Sequence, residues 1–164
     1  MKFNSSTNAG LKKINMNVNW IFKKFDDLSV TELYAIMQLR NEVFVVEQNC
    51  VYQDADDKDQ KSWHLAGWFG DELVAYTRII PPGICYAEAS IGRVVTLPKY
   101  RKTGTGIKLM EESIARTFNL FNGSSIKIGA QVYLTKFYQS FGFIQCSSQY
   151  QEDGIAHIEM ILGK

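Results

Sequence analysis

The sequence predicts an α+β domain, with a mixed, mostly antiparallel central sheet of about seven strands and helices packed on both faces. Three observations carry this expectation. Short runs of β-branched and aromatic residues recur with turn residues between them. Longer segments place apolar residues at three- and four-residue spacing. The elements run strand, helix, three strands, helix, strand, helix, two strands, an order that layers helices on a sheet and contains no internal repeat.

Trp20 to Phe25 alternates weakly and reads as the first strand. Ser29-Val30-Thr31-Glu32 has the form of a capping box, so a helix follows, with Leu33, Ile36, Met37, Arg40, Val43 and Phe44 on one face up to about Glu47. Gln48 to Ser62 is a long polar loop. Trp63 to Phe69 and Glu72 to Ile80 flank Gly70-Asp71, a two-residue hairpin signal, and should pair antiparallel. Pro81-Pro82-Gly83 interrupts the ladder, and Cys85 to Leu97 supplies a fourth strand. Ile107, Met110, Ile114 and Phe118 stripe the next helix, which Gly123 closes. Ile126 to Gln131 is a fifth strand. Val132 to Phe141 reads as an amphipathic helix ended by Gly142, and Phe143 to Tyr150 with Ile155 to Ile161 as a hairpin around Asp153-Gly154.

At 164 residues the chain suits one domain, expected over residues 20–164. The polar stretch of residues 1–19, rich in Asn, Ser and Lys, reads as a disordered leader in which Met16 is a candidate start. A formal charge of +1 gives no field for nucleic acid or an anionic membrane, so neither is an expected partner, and the expected state is a monomer or homodimer. No apolar run approaches the roughly 20 residues of a membrane span. Cys50, Cys85 and Cys146 are odd in number and lack C-x-x-C spacing; they read as small buried hydrophobes in a reducing cytoplasm, without disulfide or metal. His64 has no second ligand at metal-binding spacing. Asp54-Ala55-Asp56-Asp57-Lys58-Asp59 invites calcium, but its sixth position is not glycine and its twelfth is Leu65, which leaves a solvated acidic loop or a negative rim for a cationic substrate.

The stretch with most chemical content is Arg101-Lys102-Thr103-Gly104-Thr105-Gly106, between a strand and a strongly periodic helix. Glycines without Cβ atoms let an anion approach the backbone, the amides of the helix start point at it, and Arg101 and Lys102 add charge. The P-loop pattern fails because no Gly-Lys-Ser/Thr follows in register, and the dinucleotide pattern fails because its third glycine position holds Leu109.

The element order, R-x-x-G-x-G after the fourth strand, and Phe137-Tyr138-x-x-Phe141-Gly142-Phe143 together resemble the GCN5-related N-acetyltransferases (GNAT). Leu39-Arg40-x-x-Val43-Phe44-Val45-Val46-Glu47-Gln48, Ile91-Gly92-Arg93-Val94-Val95, Ala130-Gln131 and Glu152-Asp153-Gly154-Ile155-x-His157 make the chain similar to the ElaA-like branch, over roughly Trp20 to Met160. The resemblance implies acetyl-CoA as cosubstrate. Its pyrophosphate would lie on Arg101, Lys102, Thr103, Gly104, Thr105 and Gly106, and its pantetheine arm beside Val94, Val95 and Thr96, where the fourth strand splays from the fifth; Gln131 belongs to the same cofactor-binding set. Arg40-x-x-Val43-Phe44 also resembles acyl-homoserine lactone synthases, which would need S-adenosylmethionine as amine donor, although the Gly-Thr-Gly loop has the acetyltransferase form.

The implied reaction is direct attack by an amine on the thioester, with the oxyanion met by a main-chain amide of the fourth strand. Tyr138, which otherwise reads as core with Tyr133, Leu134, Phe137 and Phe141, would hydrogen-bond the departing CoA sulfur. An alkyl amine is almost wholly protonated near pH 7, so a base is needed; the candidates are Glu47, Glu88, Glu152 and His157, with Glu47 and His157 placed first. Arg40 and Glu152 are candidates to line the acceptor pocket, although a guanidinium on an apolar helix face reads first as a structural ion pair. A module that binds CoA without turnover is the alternative reading, and shares every residue of the phosphate loop.

Overall fold

The computed structural model describes residues 17–163, so the leader reading for residues 1–19 lies outside the described residues up to residue 16, and Asn19 already opens the first strand. The strands are β1 (Asn19–Lys24), β2 (Trp63–Phe69), β3 (Glu72–Ile80), β4 (Ser90–Thr96), β5 (Ile126–Gln131), β6 (Ile144–Gln145), β7 (Tyr150–Glu152) and β8 (Ile155–Leu162). The helices are α1 (Val30–Arg40), α2 (Thr105–Leu120) and the short α3 (Thr135–Gln139). The expected single sheet is instead two four-stranded sheets: β1-β2-β3-β4, and β5-β8-β6 with β7 also on β8. All pairings within them are antiparallel. One parallel bridge, Ala89 to Ile126, joins the two sheets, with the Lys127 amide donating to the Ala89 carbonyl at 2.9 Å. Beyond that bridge β4 and β5 run on without pairing, so the middle of the molecule opens into a wedge.

Several elements differ from the sequence expectation. The fourth strand begins at Ser90 because the Pro-rich turn extends further than Gly83. The helix expected over Val132–Phe141 contracts to a 3-10 turn, Val132–Leu134, followed by α3. The Ser29 capping box forms as expected: the Ser29 hydroxyl accepts from the Glu32 amide at 3.2 Å, and the Glu32 carboxylate accepts from the Ser29 amide at 2.7 Å. After Arg40, however, the helix widens into a π-helical segment, Asn41–Glu47.

α1 and the π-helical segment cover one face of the first sheet, packing Ile36, Leu39 and Val43 on Ala66, Tyr76 and Val95. α2 covers the other face. Its most buried residues are Leu109, Met110, Ser113 and Thr117, whereas Ile107, expected in the apolar stripe, is half exposed. Ser113 replaces an apolar contact with a 2.8 Å hydroxyl pair to Thr77. Ile126, Ile128 and Ala130 of β5 join Ile158 and Met160 of β8, Met110, Tyr138 and Phe143 in one core. The opposite face of β5 and β8 carries Lys127, Gly129, Gln131, His157 and Glu159, and is polar.

The acidic loop is not the solvated loop or rim expected: Asp54, Asp56 and Asp59 turn inward onto three arginines, while Asp57 stays exposed. Arg40, fully buried, donates from Nε to Asp54 Oδ2 at 2.7 Å, from Nη1 to Asp59 Oδ1 at 2.7 Å and from Nη2 to the Asp54 carbonyl at 2.9 Å. Arg78 grips Asp56 with both terminal nitrogens, at 2.6 and 2.9 Å, and shares Asp59 at 3.0 Å; Arg93 donates from Nε to Asp54 at 2.7 Å. Three guanidinium charges meet three carboxylates. The structural ion pair is therefore what the geometry of Arg40 supports: with every guanidinium nitrogen bonded and no exposed surface, it offers nothing to an acceptor substrate. His64 completes the cluster, with Nε2 donating to the Asp59 carbonyl at 3.0 Å and Nδ1 accepting from the Tyr76 hydroxyl at 2.8 Å.

Breaking a buried pair strands the remaining charge, so Asp59→Asn is expected to cost about 3–5 kcal/mol, read from urea unfolding at pH 7.5. Acid acts on the same cluster. Burial pushes the Asp59 carboxyl up, but bonds and charges from Arg40 and Arg78 outweigh it and hold it below the usual 3.8. Burial pushes His64 below its ordinary 6.5. Both groups hold fewer protons folded than unfolded, so their stabilisation is complete above the unfolded values and lost as pH falls toward the folded ones. The urea midpoint is expected to decline once pH drops below 6.5 and to fall more steeply below 3.8; a midpoint flat from pH 8 to 5 would contradict the His64 assignment.

Candidate active site

The phosphate-loop residues gather where β4 ends and α2 begins. Gly104 is the N-cap of α2 at φ +94°, a left-handed conformation that favours glycine, and it supplies no side-chain cap, so no cap side chain competes for the first amides of the helix. Lys102 is also left-handed, at φ +60°. The Thr103 hydroxyl donates to the Tyr100 carbonyl at 2.7 Å and lies 2.8 Å from the Thr105 hydroxyl, which pins the turn without using the helix amides. A Cβ on Gly106 would lie 3.5 Å from the Thr96 hydroxyl, an ordinary contact, so the protein itself does not demand glycine there. The vacated space is what an anion approaching the backbone would use.

β4 carries a bulge that the sequence reading missed. Tyr76 pairs with Val95 and Arg78 with Gly92, so Arg93 and Val94 together oppose Thr77, and Arg93 sits at φ +52°. The available signal was Gly92 inside a strand pattern, since an isolated glycine there marks a bulge. Bulging interrupts the β3–β4 ladder at Arg93 and Val94, in the strand whose other edge faces the wedge.

The π-helical segment ends across the mouth of that wedge. Glu47 forms a bidentate pair with Arg101, Oε1 to Nη1 at 2.6 Å and Oε2 to Nη2 at 2.8 Å, while Arg101 Nε donates to the Thr96 carbonyl at 3.2 Å. These bonds hold the Glu47 carboxyl below its usual range. The neighbouring Gln48 accepts from Gln131 Nε2 at 3.3 Å, at the end of β5. Glu47, Arg101, Thr96 and Gln131, expected from sequence as separate candidates, are thus brought together around the open ends of β4 and β5.

His157 and Glu152 lie on the second sheet. His157 pairs with Gln131 on one side and with Tyr150 on the other, and stacks on the Tyr150 ring at 5.9 Å. Its Nδ1 lies 2.9 Å from the Ile155 carbonyl, which only accepts, so Nδ1 carries hydrogen and the Nε2 lone pair remains for a proton. Glu152 is exposed at the Asp153-Gly154 turn. Over this face the Tyr150 and Tyr86 hydroxyls converge on Gly129, where a Cβ would meet them at 3.1 and 3.3 Å.

Tyr138 projects from α3 into the core between Phe137 and Phe143, and burial pushes its phenol up, so it stays protonated and donor-competent. Among the described residues no hydrogen bond involves its hydroxyl. Cys50 is buried, its thiol 3.4 Å from the Asp153 carbonyl, whereas Cys85 and Cys146 are exposed, contrary to the expectation of three buried hydrophobes. Among the described residues no cluster of His, Cys, Asp or Glu has a metal-binding arrangement, and no helix is long and apolar enough to cross a membrane.

A two-part sheet joined by a single parallel bridge, with an uncapped helix start beside it, is the architecture of an acyltransferase fold of the GNAT class. The model of the acetyltransferase (GNAT) domain matches residues 27–164, and the chain belongs to that family. The Escherichia coli protein ElaA is 43% identical over 145 residues, covering 87% of this chain and 95% of its own; a UPF0039 protein of Synechocystis is 42% identical over 147 residues, covering 89% and 96%. Among solved structures, an acyl-CoA N-acyltransferase of Pseudomonas aeruginosa superposes with TM-score 0.84 at 38% identity, over 88% of this chain and 98% of its own, and E. coli ElaA with 0.83 at 42%, over the same shares. A CoA-dependent acyl-homoserine lactone synthase, BjaI, superposes at 0.72 with only 13% identity, a likeness of fold.

Because no hydrogen bond involves its hydroxyl among the described residues, Tyr138→Phe is expected to change unfolding free energy by less than about 1 kcal/mol, checked by urea denaturation. A larger loss would mean that the phenol is structural.

Proposed function

We propose that this protein is a cytoplasmic acetyl-CoA-dependent N-acetyltransferase that transfers an acetyl group to an amine of a small molecule or peptide by direct attack. The observation that carries the reading is the unpaired wedge between β4 and β5, with the uncapped start of α2 at its mouth. The diphosphate of the donor would lie on the amides of residues 103–106, with Lys102 at the rim. The pantetheine arm would pair with the open edge of β4 at Val94, Val95 and Thr96, as an added strand.

The amine nitrogen attacks the thioester carbonyl carbon, and its negative oxygen is met by a β4 amide at the Arg93–Val94 bulge. Collapse breaks the carbon–sulfur bond and releases CoA thiolate, and the extra N–H proton of the attacking nitrogen leaves to that thiolate or to water, giving the neutral amide and CoA thiol. The Tyr138 hydroxyl stabilises that thiolate by hydrogen bonding, since full proton transfer from a phenol to a thiolate is uphill. The proton of the acceptor ammonium passes to a base. His157 has a free Nε2 for this role, Glu47 a carboxylate at the wedge mouth, and Glu152 flanks the acceptor face.

The test is acceptor-dependent release of CoA thiol during an amine screen. Tyr138→Phe is expected to lower kcat by about 100-fold with CoA affinity unchanged, while bulky replacements at Gly104 and Gly106 abolish binding of acetyl-CoA in calorimetry. Tight CoA binding without thiol release for any amine would instead favour a CoA-binding module that does not turn over.

A further inference from the structure

Two side-chain bonds cross the mouth of the wedge, both from the end of the π-helical segment: Glu47 to Arg101 on the β4 side, and Gln48 to Gln131 on the β5 side. They stand where a diphosphate-bearing donor would have to enter. Arg101 is held on two sides, by the Glu47 carboxylate through both terminal nitrogens and by the Thr96 carbonyl through Nε. A bidentate carboxylate is the chemical mimic of two phosphate oxygens, since both match the guanidinium fork.

We infer that Glu47 is an internal stand-in for the donor's diphosphate: it holds Arg101 in the free protein and yields it when a diphosphate arrives, which opens the strap across the β4–β5 mouth. This inference rests on the acetyl-CoA reading above and adds to it a donor-triggered gate. A carboxylate displaced by phosphate oxygens is also repelled by them, so Glu47 swings away from the loop. Its freed carboxylate then becomes available on the acceptor side, where Gln48 and Gln131 are released from the same segment. Donor binding would therefore precede acceptor binding. The pair is exposed, so its exchange is a modest term.

The experiment is a double-mutant cycle on the full chain, with CoA and with pantetheine, which lacks the diphosphate, titrated calorimetrically. Glu47→Gln is expected to tighten CoA by about two- to fivefold and to leave pantetheine unchanged. In an Arg101→Gln background the same change should tighten CoA markedly less, because only the charge repulsion is relieved and no guanidinium remains to be released. Equal tightening with and without Arg101 would show simple charge repulsion and overturn the exchange, as would no tightening at all. If the unaltered protein binds no CoA, the donor reading and the strap fall together. If it binds CoA without coupling between positions 47 and 101, only the strap falls.

Discussion

The buried cluster of Arg40, Arg78 and Arg93 with Asp54, Asp56 and Asp59 is the constraint on which the rest of the structure depends. It ties the loop after the π-helical segment to three packed elements: the end of α1, β3 and the bulge of β4. Each ion is costly to bury alone, and the carboxylates are shared between arginines, although Arg78 Nε is buried without a hydrogen-bond partner among the described residues. A loop that sequence composition marks as solvated thus becomes the clamp of the domain.

That clamp reaches the site through Arg93. A non-glycine residue at φ +52° needs surrounding structure to hold it, and the Arg93 guanidinium is fixed to Asp54 by Nε at 2.7 Å and to the Asp54 carbonyl by Nη2 at 3.2 Å. The side chain thereby anchors the backbone distortion that interrupts the β3–β4 ladder, in the strand whose other edge faces the wedge. On the other side, Arg40 fixes the point where α1 widens, and so sets where Glu47 and Gln48 emerge. One electrostatic cluster therefore positions both walls of the mouth.

Much of this was legible in the sequence, for local reasons. The Ser29 capping box, the Gly70-Asp71 and Asp153-Gly154 hairpins, the fifth strand and the Gly104 loop are all encoded within a few residues, so spacing and turn chemistry suffice to find them. What escaped depends on partners far along the chain. Asp54 meets Arg93 across 39 residues and Glu47 meets Arg101 across 54, distances at which composition says only that a loop is acidic and a helix end charged. Ile107 failed for a related reason: tertiary packing turned α2 so that Ser113 and Thr117, each bonded back to a carbonyl four residues earlier, occupy the buried face.

The wedge itself follows from a mismatch of requirements. β4 and β5 are parallel neighbours joined only at their start, and each has its antiparallel partner on the far side, β3 for β4 and β8 for β5. The facing edges beyond Ala89 and Ile126 are left with backbone groups that the protein does not pair, an arrangement that favours either water or an extended ligand bearing amides. Gln131 and Thr96 mark the two lips of that opening, and the bonds they accept or donate to Gln48 and Arg101 are side-chain bonds at exposed or half-buried sites, far weaker than a ladder. The edges are thus capped by contacts that an incoming strand-like ligand can replace, while the clamp beneath them holds the opening's shape.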